Sequence, residues 1–108
     1  MGFIDLNQLK AIEIFPGVNA KIVSGDRIMF SYVDMPANCE AALHNHPHEQ
    51  WGIVLDGEFD FTIGSETRHL SAGDAYMIPS NIMHGAKTGK TGCRVLDVFS
   101  PPREDYKR

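Results

Sequence analysis

The stretch that decides the fold is Asp56-Gly57-Glu58-Phe59-Asp60-Phe61-Thr62-Ile63-Gly64. Phe59, Phe61 and Ile63 alternate with Glu58, Asp60 and Thr62, the period-two pattern of a strand with one face buried and one wet. The Asp56-Gly57 step before it suits a tight hairpin, because both residue types tolerate positive φ. Outward from this strand, turn signals recur at intervals of roughly seven to twelve residues. They are Pro16-Gly17, Gly25-Asp26, Pro36-Ala37-Asn38, Gly64-Ser65, Ala72-Gly73-Asp74, Pro79-Ser80-Asn81 and the loop from Thr88 to Gly92. Arg27 to Asp34 interleaves β-branched, aromatic and sulfur-bearing residues without helical spacing, and Arg94 to Phe99 is apolar on both faces except at Asp97. Both read as strands. Asp5 to Ile12 alone has room for a helical turn, with Asp5 or Asn7 as its cap. Eight or nine short antiparallel strands must close on themselves or pair face to face to protect their edges. The expected fold is therefore all-β, a small barrel or jelly roll.

Size and composition agree. At 108 residues and 12.0 kDa the chain is one domain, residues 1–108, with no room for a second core. With 43% hydrophobic residues, 22% charged and a net charge of −4, it lacks the cationic excess that nucleic-acid phosphates require. Neither a signal peptide nor an apolar run of membrane-spanning length is visible, so a cytoplasmic location and no membrane partner are expected. Cys39 and Cys93 are too far apart for a CxxC site and are expected to be free thiols.

Three of the five histidines, His44, His46 and His48, fall within five consecutive residues. In a strand, positions i and i+2 point to the same face, so His44 and His46 can hold one metal ion together. Pro47 breaks the row and sets His48 and Glu49 off it, while Gln50 can return toward the ion after the kink. His84, after the turn at Pro79-Ser80-Asn81, can supply a further nitrogen. His69 stands alone and reads as a surface or hydrogen-bonded residue.

The whole frame is His44-x-His46-x3-Gln50-x6-Gly57, then Gly73-x5-Pro79-x4-His84. It resembles the two motifs of the cupin superfamily, across a core of about residues 33–103. The resemblance implies a jelly-roll barrel with a metal in its mouth, held by His44, His46, Gln50 and His84. Three positions depart from the usual pattern: Gln50 stands where many members have glutamate, Asn81 replaces a glycine, and Thr88 replaces an asparagine. A neutral amide at position 50 leaves a bound divalent ion its full charge, which favours an anionic oxygen ligand. Three imidazoles and a carbonyl oxygen suit Zn, Ni, Fe(II), Mn or Co alike.

Within the cupins, Pro47-His48-Glu49-Gln50, Gly57-Glu58-Phe59-x-Phe61-Thr62-Ile63-Gly64, Ile78-Pro79-Ser80-Asn81 and Asp97-Val98-Phe99-Ser100-Pro101-Pro102-Arg103-Glu104-Asp105 resemble the small single-domain group of the pectin-degradation (KdgF) type. That likeness implies an enzyme converting 4,5-unsaturated uronate monosaccharides to linear 5-keto-4-deoxyuronates, with Asp97 catalytic, Phe99 shaping the pocket and Arg103 gripping the substrate. The residues also speak for themselves. Period two puts Val95, Asp97 and Phe99 on one face, so Asp97 is an acid in an apolar row: either a hydrogen-bonded core aspartate or a proton shuttle. Arg103 is either a bidentate carboxylate clamp or a solvated surface arginine. Two other functions fit the same metal motif: an Fe(II) dioxygenase, or a metal-bearing cupin that binds sugar without turnover. Leu96 and Val98 on the opposite face imply packing against another sheet or subunit, and a homodimer is expected.

Overall fold

The computed structural model describes residues 2–107. Among the described residues nine strands pair antiparallel: β1 (Ile12–Phe15), β2 (Val18–Ser24), β3 (Met29–Met35), β4 (Glu40–His44), β5 (Glu49–Ile63), β6 (Glu66–Ser71), β7 (Ala75–Ile78), β8 (His84–Lys87) and β9 (Cys93–Ser100). They run in the order β1-β2-β3-β9-β5-β8-β4, with β6 and β7 also paired to β5, and form a nearly closed jelly-roll barrel. The expected helical turn is one 3-10 turn, Leu6–Gln8, whose N-cap Asp5 accepts a hydrogen bond from the Asn7 amide. Among the described residues no helix is long and apolar enough to cross a membrane.

Strand β5 joins the two halves of the barrel. Its first part pairs with β9 and β7, and its second part with β6 and β8. The hairpin expected at Asp56-Gly57 is not there. The register against β9 instead shifts between Val54 and Asp56, and Gly57 takes φ 76° within a continuous strand. This is a bulge: one extra residue changes which parity faces inward. Before it the buried residues are Gln50 and Val54, and after it Phe59 and Phe61. Gly57 also lies against the backbone of Gly92 and Cys93, where a Cβ would overlap the Gly92 carbonyl. The tight hairpin comes at Gly64-Ser65, with Gly64 at φ 61°, linking β5 to β6.

Alternation then builds the core. In β3, Met29, Ser31, Val33 and Met35 point inward, and in β9 Cys93, Val95, Asp97 and Phe99 do. Val18, Ala20, Val54, Phe59, Phe61 and Ile78 fill one end of the barrel, whereas Met29, Phe99 and Tyr106 form a separate cluster near the mouth. Cys39 and Cys93 are both free thiols, as expected, and burial pushes the Cys93 thiol up to about 11. Two departures from the motif have local explanations. Asn81 adopts φ 67°, a left-handed conformation that asparagine takes more readily than other non-glycine residues. Thr88 is buried, and its hydroxyl donates to the Pro36 carbonyl and accepts from the Cys39 amide, tying two loops together.

Candidate metal centre

The pairing of β4 with β8 sets His44 directly opposite His84, with ring centroids 4.3 Å apart. Gly85 permits this close approach, since a Cβ there would come within 2.9 Å of the Ala41 carbonyl oxygen. His46 lies just beyond β4, in a loop pinned to the next turn: the Asn81 amide donates to the His46 carbonyl at 2.8 Å, and the Asn45 side chain donates to the Asn81 carbonyl. One ligand atom from each of His44, His46 and His84 lies within 4.8 Å of the others.

Hydrogen bonds select the tautomers. Nδ1 of His44 faces the Ala42 carbonyl at 2.7 Å, Nδ1 of His46 the His48 carbonyl at 3.0 Å, and Nδ1 of His84 the Ile82 carbonyl at 2.8 Å. A carbonyl only accepts, so each Nδ1 carries the proton and each Nε2 is left with a lone pair. Burial lowers the pKa of His46 and takes that of His84 down to about 4, with neighbouring positive groups adding to both shifts. Neutral imidazoles with free lone pairs are the form that binds a metal. His84 Nε2 is buried without any hydrogen-bond partner. Such an orphan is costly in a folded protein and is what a ligand atom looks like with its ion removed.

Gln50 adjoins His46. Its Oε1 lies 3.0 Å from His46 Nε2, so a carbonyl oxygen faces a lone pair. Turning the amide over would relieve that repulsion, but Gln50 also hydrogen-bonds the Asp97 carboxylate, which requires its NH2 on that side. A cation between Oε1 and Nε2 satisfies both ends. The three histidines named from the sequence are therefore brought together, with Gln50 against His46, in an arrangement compatible with a divalent transition metal.

Asp97 stands beside this set. Among the described residues it is the one buried carboxylate, and burial raises its pKa to about 6 against the opposing pull of its hydrogen bonds and of Arg103. Sequence reasoning missed its main partner, Tyr76, whose hydroxyl donates to Asp97 Oδ1 at 2.5 Å. The available signal was Gly52: a glycine inside a strand pattern marks close approach of another group.

The C-terminal segment covers the mouth. Phe99 is buried, with its ring edge-on to His46 at 5.6 Å. Arg103 is buried too, which rules out the solvated surface arginine, and its guanidinium stacks on Tyr106 at 3.9 Å and over Phe99 at 5.2 Å. Its fork does not stand open, however. Nε and Nη2 hold the two oxygens of Asp105 at 3.2 and 2.8 Å, and Nη1 donates to the Tyr106 hydroxyl. His48 is half-buried off the row, close enough to Arg103 and Asp105 for both to influence its pKa. His69 is exposed on β6 between Glu58 and Asp60, a surface residue as expected. A partly open cavity of about 70 Å³ is lined by His44, Gln50, His84, Asp97, Phe99 and Arg103 among others.

The sequence profile of the cupin domain matches residues 31–99. The chain belongs to the cupin family. This cupin is 35% identical over 96 residues to the pectin degradation protein KdgF of Dickeya dadantii, with 87% of each chain covered. Among solved structures it superposes on KdgF from Halomonas sp. with a TM-score of 0.89 at 32% identity, covering 97% of both chains. An RmlC-like cupin from Shewanella frigidimarina gives a TM-score of 0.91 at 29% identity, covering 98% of this cupin and 96% of that chain.

Proposed function

We propose that this cupin is a metal-dependent sugar-acid isomerase that opens 4,5-unsaturated uronate monosaccharides, of the kind released from pectin or alginate, to linear 5-keto-4-deoxyuronates. The observation that carries the reading is Asp97: a lone carboxylate inside the barrel, able to hold a proton near neutrality and bonded to the glutamine that shares the histidine cluster. Likeness to KdgF along nearly the whole chain supports the substrate class.

The reaction gains and loses no atoms. The bond between the ring oxygen and C1 breaks as the anomeric hydroxyl gives up its proton and C1 becomes an aldehyde. The enol left at C4–C5 takes a proton on C4 and becomes a ketone at C5. His44, His46, His84 and Gln50 would hold a divalent ion, which would supply Lewis-acid stabilisation of negative charge on the substrate oxygens. Asp97 is assigned the proton delivered to C4, a task suited to a group whose pKa of about 6 lies near neutrality. Phe99, edge-on to His46, is assigned the apolar wall of the pocket and would keep water from the face where the enol is protonated. Arg103 is assigned the substrate carboxylate, which must then displace or share the Asp105 oxygens now filling the fork.

The test is direct. Metal-loaded protein mixed with the products of a pectate or alginate lyase should accelerate loss of the unsaturated chromophore, and Asp97→Ala should abolish turnover with metal content intact. A chromophore decaying at the uncatalysed rate in the presence of metal-loaded wild type would refute the assignment.

A further inference from the structure

Four residues on four neighbouring strands form one row across the barrel wall: Ser31 on β3, Asp97 on β9, Gly52 on β5 and Tyr76 on β7. Ser31 pairs with Asp97, Asp97 with Gly52, and Gly52 with Tyr76. Tyr76 and Asp97 are thus two strands apart, roughly 10 Å between backbones. They nonetheless meet, with the Tyr76 hydroxyl 2.5 Å from Asp97 Oδ1. The two side chains laid end to end cover that span only by crossing directly over the strand between them.

Gly52 is what makes the crossing possible. Its φ lies outside the left-handed region, so no backbone conformation demands glycine there. The demand is spatial: a Cβ at position 52 would overlap the Tyr76 ring at Cζ and its hydroxyl oxygen. The ring is fixed from the barrel side by Phe61, edge-on at 4.7 Å. Ser31 does not share the task, because its hydroxyl is buried and makes no hydrogen bond.

We infer that Tyr76 is a positioning residue for Asp97 and that Gly52 is the slot through which it acts. The inference rests on the proposed role of Asp97. A carboxylate beside a cluster of metal ligands has two possible fates, to join the coordination sphere or to stay free as a proton carrier. Asp97 contributes no atom to the group of ligand atoms that lies within 4.8 Å. Tyr76 anchors its Oδ1 on the side of β7, and the Gln50 amide bonds it from the side of the histidines. With one oxygen fixed by a phenol that can only donate to an ionised carboxylate, the group is held in one rotamer on the wall of the cavity.

Tyr76→Phe is the decisive variant, because it keeps the ring and its packing on Phe61 and removes only the hydroxyl. In the metal-loaded protein acting on unsaturated uronate, kcat should fall roughly 10- to 100-fold, the factor carried by a hydrogen bond to a charged group. KM and metal content should stay at wild-type values. Gly52→Ala should lower kcat as well, by expelling a tyrosine that is still present. Wild-type kcat in Tyr76→Phe, or a KM that rises as far as kcat falls, would overturn the inference. A second readout does not depend on turnover: a buried phenol donating to a carboxylate gives a slowly exchanging, downfield hydroxyl resonance in the proton NMR spectrum. It should be present in wild type and absent in both Tyr76→Phe and Asp97→Ala. If wild type fails to turn over uronates yet shows the resonance, the proposed function falls and the pairing stands; if wild type lacks the resonance, the positioning role falls whatever the activity.

Discussion

His84→Leu separates the cost of building the histidine site from the gain in filling it. In the metal-free protein His84 Nε2 is buried with no partner, and the neighbouring His44 and His46 rings, with centroids 4.3 and 5.0 Å away, keep water from it. An unsatisfied buried acceptor costs about 1–3 kcal/mol. Leucine removes that cost at similar volume and forfeits the Nδ1–H bond to the Ile82 carbonyl, worth about 1 kcal/mol. Since Ile82 is exposed, its freed carbonyl can bond to water. The metal-free variant should therefore be more stable than metal-free wild type by about 1 kcal/mol, or roughly 4–8 °C in Tm for a domain of this size. Metal reverses the order. An ion at a hundred times its Kd adds about 2.7 kcal/mol to wild type, roughly 10–20 °C, and adds little to a variant that has lost one of three imidazoles.

Thermal melts with chelator, and then with Zn2+ or Ni2+, measure both effects. If the metal-free variant melts below metal-free wild type, the cost assigned to the orphan nitrogen is wrong. If Zn2+ and Ni2+ raise the variant's Tm as far as that of wild type, His84 is not a ligand.

Other expectations follow from the same geometry. In metal-free protein the Asp97 pKa rises from 3.8 to about 6, so the folded state favours the protonated acid. The resulting penalty, at most about 3 kcal/mol, is fully present above pH 6 and gone below about pH 4. Asp97→Asn should thus be inactive yet gain on wild type in urea unfolding at pH 8 and lose that advantage at pH 4; an equal difference at both pH values would contradict the assignment. Cys93, with its thiol pushed up to about 11, should resist iodoacetamide at pH 8 in the folded protein and react once unfolded, as mass spectrometry would show. Trp51, Ile53 and Leu55 on β5 and Met77 on β7 form an exposed apolar strip beside Leu96 and Val98, so a second copy of the chain is the expected cover. Sedimentation should give twice 12.0 kDa, and a monomer would count against it.

Much of this arrangement was legible in the sequence because strand alternation is local. Val95, Asp97 and Phe99 face inward as period two requires; His44 and His46 both reach the cluster with His84, but β4 ends at His44 and it is the loop pinned by Asn81, not strand alternation, that sets His46 there. The failures occur where local chemistry has two outcomes. Asp56-Gly57 suits a hairpin and a bulge equally, and the choice is made by Gly92, far along the chain, whose carbonyl backs directly onto Gly57. The Arg103 fork has the geometry of a substrate clamp, but it is held by Asp105 two residues on. Tyr76 belongs to no motif. Its tie to Asp97 depends on the order β9-β5-β7, which no local pattern encodes.

The glutamine at position 50 becomes intelligible from both of its neighbours. A carboxylate there would put two acids side by side, and like charges in a buried site force one of them to keep a proton. An amide avoids the conflict by being two-sided: its NH2 donates to Asp97 while its oxygen turns to the lone pair of His46. In the proposed site Gln50 would thus serve as a metal ligand and orient the proposed proton carrier with a single planar group. Gln50→Glu should separate these duties. The new carboxylate supplies a stronger ligand, so metal content should hold or rise, but it cannot donate to an ionised Asp97 and instead repels it. Turnover should fall at least as far as in Tyr76→Phe, with metal still bound by elemental analysis. A Gln50→Glu protein as active as wild type would show that the amide's donor side is idle, and that Asp97 is oriented by Tyr76 alone.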